Sequence, residues 1–127
     1  MNDPNGTATK FFDAIERGSF SEIEDIYCDD VAIWHSNDDQ TQGKTENLAV
    51  LKGAAGLVGF KYDVIHRSVE GDVVAQHHRL HLTRRDNGAE TTIQAAIFLT
   101  VSDNRITRID EFIEQSADER ISKLLAD

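Results

Sequence analysis

A histidine titrating near neutrality, set beside a carboxylate and shielded from water, is the simplest apparatus for moving a proton. This chain has five histidines, and His77, His78 and His81 fall within one stretch, Val73 to Thr83, whose composition is that of a strand. Strand alternation decides which of them can act together. The stretch runs into Arg84-Arg85-Asp86-Asn87-Gly88 and returns as Glu90 to Val101, so Asn87-Gly88 is expected to be the two-residue turn of a hairpin. Counting back from that turn pairs Leu82 with Ile93, Leu80 with Ala95, His78 with Ile97, Gln76 with Leu99 and Val74 with Val101 on one mainly apolar face. Gln76 and His78 are then polar groups aimed into an interior, where each needs a partner.

The acid that could serve His78 lies on the last strand, Arg105 to about Gln115. A strict two-residue turn at Asp103-Asn104 would put Asp110 on the His78 face, and a loop holding one more residue would put Glu111 there. The second register buries Ile109 and Ile113 rather than Arg108, so Glu111 is expected inward and Asp110 outward. His35 sits where a short β-prone run, Val31 to Ser36, meets a polar loop from Asn37 to Gly43, and Trp34 beside it must point to the other face. His78, Glu111 and His35 are therefore the candidate catalytic set, with Tyr27, Trp34, Gln76, Ile97 and Asp38 as candidate substrate-binding residues. Each also has a plainer reading. His78 can be a packing residue bonded to Gln76 or a backbone carbonyl, Tyr27 a core residue at a helix end, and Asp38 and Asp39 solvated loop acids.

Other chemistries find little support. His77 and His81 are four apart, but in a strand four residues span about 13 Å, too far to share one metal ion with bonds near ~2 Å. A phosphate loop, a Gly-x-Ser-x-Gly elbow and a His-Glu-x-x-His motif are missing, and Cys28 has no activating neighbour. No metal and no cofactor is expected.

These residues must be positioned by one domain, 1–127, long enough to bury roughly 65–70% of the surface its unfolded form exposes. One cysteine excludes an internal disulfide, and a formal charge of −10 repels nucleic acid and anionic membranes, so a cytoplasmic protein is expected. Thr7 to Arg17, with Phe11, Phe12 and Ile15 at helical spacing and Gly18 as a stop, predicts a first amphipathic helix. A short second helix carries Phe20, Ile23, Ile26 and Tyr27, and a third spans Lys44 to about Val58. Phe60 to Glu70, the central hairpin and the last strand follow as a meander, and Asp118 to Leu125 closes as a helix. The class is α+β, an antiparallel sheet curling around helices.

That element order, with Asp29-Asp30-Val31-Ala32-Ile33-Trp34-His35 early and Arg105-Ile106-Thr107-Arg108-Ile109-Asp110-Glu111-Phe112-Ile113-Glu114 late, resembles the SnoaL-like branch of the nuclear transport factor 2-like superfamily. The resemblance covers nearly the whole chain. It implies a conical half-barrel wrapped around the N-terminal helices, with a small-molecule pocket at the open end, and a homodimer. It also implies that His35 lies near the general-base aspartate of ketosteroid isomerases, and Tyr27 in the region that supplies their tyrosine. His78 and Glu111 fall about where the fold's epoxide hydrolases place an arginine and an aspartate. Neither residue set is present as such.

Two functions remain open: a cofactor-free isomerase, lyase or hydrolase acting on a small hydrophobic carbonyl compound, or a ligand-binding or assembly module with no chemistry. The mixed face of Thr83, His81, Arg79 and His77 suits a subunit contact, which the homodimer would supply.

Overall fold

The structure is a computed structural model that describes residues 1–126. Four helices and six strands follow in the order α1 (Pro4–Arg17), α2 (Phe20–Ile26), β1 (Tyr27–His35), β2 (Gln40–Gln42), α3 (Lys44–Leu57), β3 (Val58–Glu70), β4 (Val73–Arg84), β5 (Glu90–Ser102), β6 (Arg105–Ile113) and α4 (Ala117–Leu125). One curved, unclosed sheet runs β2-β1-β6-β5-β4-β3. It is antiparallel except where β1 lies parallel to β6, a seam that the expectation of a purely antiparallel sheet had not included. The α+β class and the cone-like wrapping of the sheet around the first helices are as expected.

α1 begins three residues before the expected start, because the Asp3 carboxylate accepts from the Gly6 N–H and Pro4 supplies the first helical position. It ends where Gly18, at φ 68°, takes the left-handed conformation that closes a helix. Its Phe11, Phe12 and Ile15 pack on Val74, Ile97, Leu99 and Ile109 from the inner faces of β4, β5 and β6. A second cluster forms at the far end of the sheet, where Ala117 and Leu124 of α4 meet Val58, Leu82 and Ile93.

Two local features correct the expected pattern. The β4–β5 connection is a four-residue loop, not a two-residue turn. Arg84 N–H donates to Ala89 O and Gly88 N–H to Arg84 O, and only Gly88 has positive φ. The Asn87 side chain accepts from Ala89 N–H, which holds Asn87 out of the left-handed region a two-residue turn requires. His78 therefore pairs with Ala95 rather than Ile97, and Leu80 with Ile93. The offset is two residues, so every side chain keeps its face. The stretch from Asn37 to Gly43 is not loop throughout, because Gln40–Gln42 pairs as a short edge strand on β1. Asp39 at φ 53° turns the chain there, and the Asp38 carboxylate accepts from Gln40 N–H.

Two bulges decide which side chains face inward. β3 pairs Val64 with His78 but His66 with His77, leaving Ile65 as the additional residue. β6 pairs Ile106 with Val101 but Arg108 with Thr100, leaving Thr107 as the additional residue. A bulge shifts the alternation by one. In β6 this brings Ile109 and Glu111 to the inner face even though Asp103-Asn104, at φ 55° and 60°, is a two-residue turn.

Candidate functional site

Glu111 sits where the strand pairings converge. Its neighbour on β5 is Ile97 and its parallel neighbour on β1 is His35. His35 Nε2 lies 3.3 Å from Glu111 Oε1, and His78 Nε2 lies 4.0 Å from Oε2, so each carboxylate oxygen is faced by one imidazole. The three expected catalytic residues are thus brought together.

Two cavities meet at this carboxylate. The inner one, ≈ 60 Å³, is bounded by Phe12 of α1, Tyr27 and Ile33 of β1, Tyr62 of β3, Ile97, and His35. The outer one, ≈ 180 Å³, lies beneath α4 and is lined mainly by apolar side chains, among them Phe60, Leu80, Leu82, Ile113, Ile121 and Leu124. Among the described residues Glu111 alone lines both. This is an apolar compartment ending in a titratable polar one, the arrangement expected of a small-molecule site.

The two histidines are in different electrostatic states. His35 is held above its ordinary value of 6.5, chiefly by its hydrogen bond to Glu111, with the charges of Glu111 and Asp38 adding to that and partial burial opposing it. His78 is held below that value, chiefly by burial, with His77 and Arg67 also opposing its charge and Glu111 favouring it. At neutral pH the pair is therefore divided: His35 is the ring that more readily carries charge, and His78 the one that stays neutral.

His78 is fully buried and lines neither cavity. Its Nδ1 is 2.9 Å from Gln76 Nε2, the rings of Phe12 and Tyr62 meet it in T-shaped contacts with centroids 5.6 and 4.9 Å away, and its Nε2 is buried without a hydrogen-bond partner. His77, on the opposite face, bonds Gln94 Oε1 at 2.8 Å.

The expected substrate-binding residues separate into three groups. Ile97 and Tyr27 line the inner cavity. Tyr27 is the first residue of β1, not the end of α2, and its buried hydroxyl donates to Asn47 Oδ1 at 2.8 Å; burial, with Glu111 nearby, raises its pKa. Gln76 is buried behind His78 and lines neither cavity. Trp34 and Asp38 stand apart from both cavities. Alternation along β1 turns Trp34 to the outer face, where it meets the ring of Phe112 at 5.1 Å and donates to Asp39 Oδ1. Asp38 is exposed in the turn beyond His35 and is engaged with the Gln40 backbone.

Sequence reasoning missed Tyr62, Asn47 and Arg67. Tyr62 lines the inner cavity against Phe12 and His78, and burial first, then the charge of Glu111, holds its phenol well above its ordinary pKa. Strict alternation from the Gly71-Asp72 turn would have placed Tyr62 on the outer face; the bulge at Ile65 reverses it. Among the described residues no group of three or more His, Cys, Asp or Glu converges to hold a metal ion. Among the described residues no helix is long and apolar enough to cross a membrane.

Comparison with solved structures places this geometry in a known fold. A protein described as a SnoaL-like polyketide cyclase from Shewanella putrefaciens CN-32 superposes with a TM-score of 0.82 at 16% identity, over 97% of this chain and 98% of that one. An epoxide hydrolase from M. tuberculosis of the LEH-like type gives 0.77 at 18% identity, over 94% and 86%. A protein with a ketosteroid isomerase-like fold from Catenulispora acidiphila, solved with trimethylamine, gives 0.74 at 12%, over 87% and 86%. Comparison with curated protein sequences finds no match. The family profile of the SnoaL-like domain matches residues 8–109. With most of its length matched by that profile, and with the same fold as these neighbours, the chain belongs to the SnoaL-like domain family of the nuclear transport factor 2-like superfamily.

Proposed function

We propose that the protein is a cofactor-independent enzyme that moves a proton on a small, largely apolar, carbonyl-bearing molecule, with Glu111 as the base and His35 as its proton partner. The observation that carries this is the place of Glu111: the acid common to both cavities, with an imidazole nitrogen facing each oxygen. The apolar part of the substrate occupies the cavity beneath α4 and the carbonyl end reaches the inner one. Glu111 takes the proton from the carbon next to the carbonyl. The C–H electron pair becomes a C=C bond while the carbonyl π pair moves to oxygen, forming an enolate. In a β,γ-unsaturated substrate the enolate is a dienolate, and return of the proton to its γ-carbon restores the carbonyl and gives the conjugated isomer; in a β-hydroxy substrate the hydroxyl leaves as water with a proton from His35, while the enolate pair forms the α,β double bond and restores the carbonyl. His35, whose side chain is 22% exposed, relays protons between Glu111 and solvent. The phenol of Tyr62, on the cavity wall, is the donor available to the enolate oxygen.

The test needs no natural substrate. In D2O, exchange of α-protons is followed by NMR for a panel of alkyl, cyclic and aryl ketones. Exchange accelerated by the wild type and abolished in Glu111→Gln is the expected result. If no ketone exchanges faster with protein than without, the reading as an enzyme falls, and the protein is a ligand-binding module. The small inner volume favours that second reading, since a ligand could be held there without room to react.

The assembly we propose is a homodimer through the outer face of the sheet. Trp34, Phe112 and Phe98 form a continuous aromatic row there, with ring centroids 5.1 and 6.2 Å apart, and Phe98 and Phe112 are 39% and 49% exposed. Aromatic residues left this open on a sheet face are typical of the centre of a protein interface.

A further inference from the structure

Glu111 and His35 meet at the inner cavity, and a run of polar residues that line neither cavity lies behind them. His78 has one nitrogen bonded and one unbonded, both out of reach of solvent. A buried, unpartnered ring nitrogen is uncommon and asks for a reason.

The reason begins at α1. The Arg67 guanidinium donates from one terminal nitrogen to Thr9 Oγ1 at 2.7 Å and Asn5 Oδ1 at 3.1 Å, and from Nε to Gln76 Oε1 at 2.8 Å. Arginine has only donors, so the atom of Gln76 that faces it must be the amide oxygen. The amide nitrogen is then the atom at 2.9 Å from His78 Nδ1, and an amide nitrogen only donates. His78 Nδ1 must therefore accept. A neutral imidazole that accepts at Nδ1 carries its proton on Nε2, the nitrogen 4.0 Å from Glu111 Oε2.

We infer that Arg67 and Gln76 are positioning residues that lock His78 as the neutral ring with its proton on Nε2, directed at the second oxygen of Glu111. Two other arrangements are opposed by the same contacts. Moving the proton to Nδ1, or adding one there, sets N–H against the Gln76 amide nitrogen. Turning the Gln76 amide over to relieve that clash sets its nitrogen against Arg67 Nε–H. The rings of Phe12 and Tyr62 pack against the imidazole, and Phe12 also lies under the guanidinium at 5.9 Å. Glu111 is thus held from the solvent side by a ring that takes up protons, His35, and from the interior by one that is kept from doing so.

The bulge at Ile65 makes the lock possible. It allows Arg67 and Tyr62, five positions apart, to sit on the same side of β3, one reaching Gln76 and the other the His78 ring.

The tautomer is read directly from long-range proton–nitrogen correlations of 15N-labelled protein. In the wild type His78 Nδ1 should resonate as an unprotonated ring nitrogen and Nε2 as a protonated one; the reverse overturns the lock whatever any variant does. Gln76→Glu replaces the amide donor by a carboxylate that accepts, so Nδ1 should move to the protonated position. Arg67→Met should leave the amide free to turn and both tautomers populated, while Arg67→Lys, which keeps a donor toward Gln76 Oε1, should restore the wild-type pattern. A folded Gln76→Glu whose Nδ1 stays unprotonated also overturns the lock.

The consequence for chemistry rests on Glu111 being the base, and the same samples keep the two questions apart. Ketone α-proton exchange in Gln76→Glu should fall by about tenfold or more. A tautomer that shifts while exchange is unchanged leaves the lock standing and removes His78 from the chemistry of Glu111. A wild type with no exchange activity overturns the enzymatic reading, and its nitrogen spectrum still decides the lock.

Discussion

His78 Nε2 stands 4.0 Å from Glu111 Oε2, within the range of an ion pair and beyond that of a hydrogen bond. The gap matters because the other oxygen of the same carboxylate already meets His35 at 3.3 Å. A movement of Glu111 by about 1 Å would exchange one partner for the other, or engage both.

Glu111→Gln keeps the shape of the side chain and removes its basicity. Ketone α-proton exchange should fall by about 10²–10⁴-fold, the usual worth of a positioned base. The His35 titration, followed by NMR, should move down toward 6.5, because the carboxylate that holds it up is gone.

The raised pKa of His35 makes stability depend on pH with a definite sign. The folded state binds the His35 proton more tightly than the unfolded chain does. The stability this adds is therefore complete below about pH 6.5 and is lost as pH rises through the folded value. Denaturant melts of wild type and His35→Gln should differ by on the order of 1.5 kcal/mol near pH 5.5, with the gap narrowing toward pH 9. His78, held below 6.5 by burial, acts in the opposite sense, its contribution present above 6.5 and lost as pH falls through its folded value. Taking the difference between the two proteins cancels it.

Replacing His78 tests packing against chemistry. His78→Leu strands the buried Gln76 amide nitrogen and should cost about 1–3 kcal/mol. Gln76→Leu strands Nδ1 in the same way. The double variant should be more stable than the sum of the two losses implies, by about 1 kcal/mol or more, since neither orphan is then created. Strict additivity in thermal and urea melts would show that the 2.9 Å contact contributes nothing.

The aromatic row on the outer sheet face should hold two copies together. Sedimentation at micromolar concentration should give a dimer for the wild type and a monomer for Phe98→Asp, with the ketone exchange rate per chain as an independent check that the monomer is folded. A wild type that sediments as a monomer removes the homodimer.

The interior residues were legible because alternation survives errors of two. The hairpin loop holds four residues rather than two, yet His78, Gln76 and Leu82 remain on the inner face. Glu111 was legible through its neighbours, because only one register buries Ile109. Tyr62 was not, since nothing in Asp63-Val64-Ile65-His66 marks a bulge, and the bulge alone turns Tyr62 inward. Arg67 was illegible for another reason. Its role depends on reaching Asn5, Thr9 and Gln76 at once, three positions that no local pattern connects.

The bulge at Thr107 gives β6 one residue more than its inward pattern requires. Deleting Thr107 would leave Ile106 and Ile109 alternating regularly about Arg108, with Glu111 still beside His35. Deleting Asp110, only three positions on, would force the strand to keep either Ile109 or Glu111 inside, but not both. Tolerance to a change in length therefore differs sharply along one strand, and the place where a residue can be lost without harm is the one where the backbone already departs from regularity.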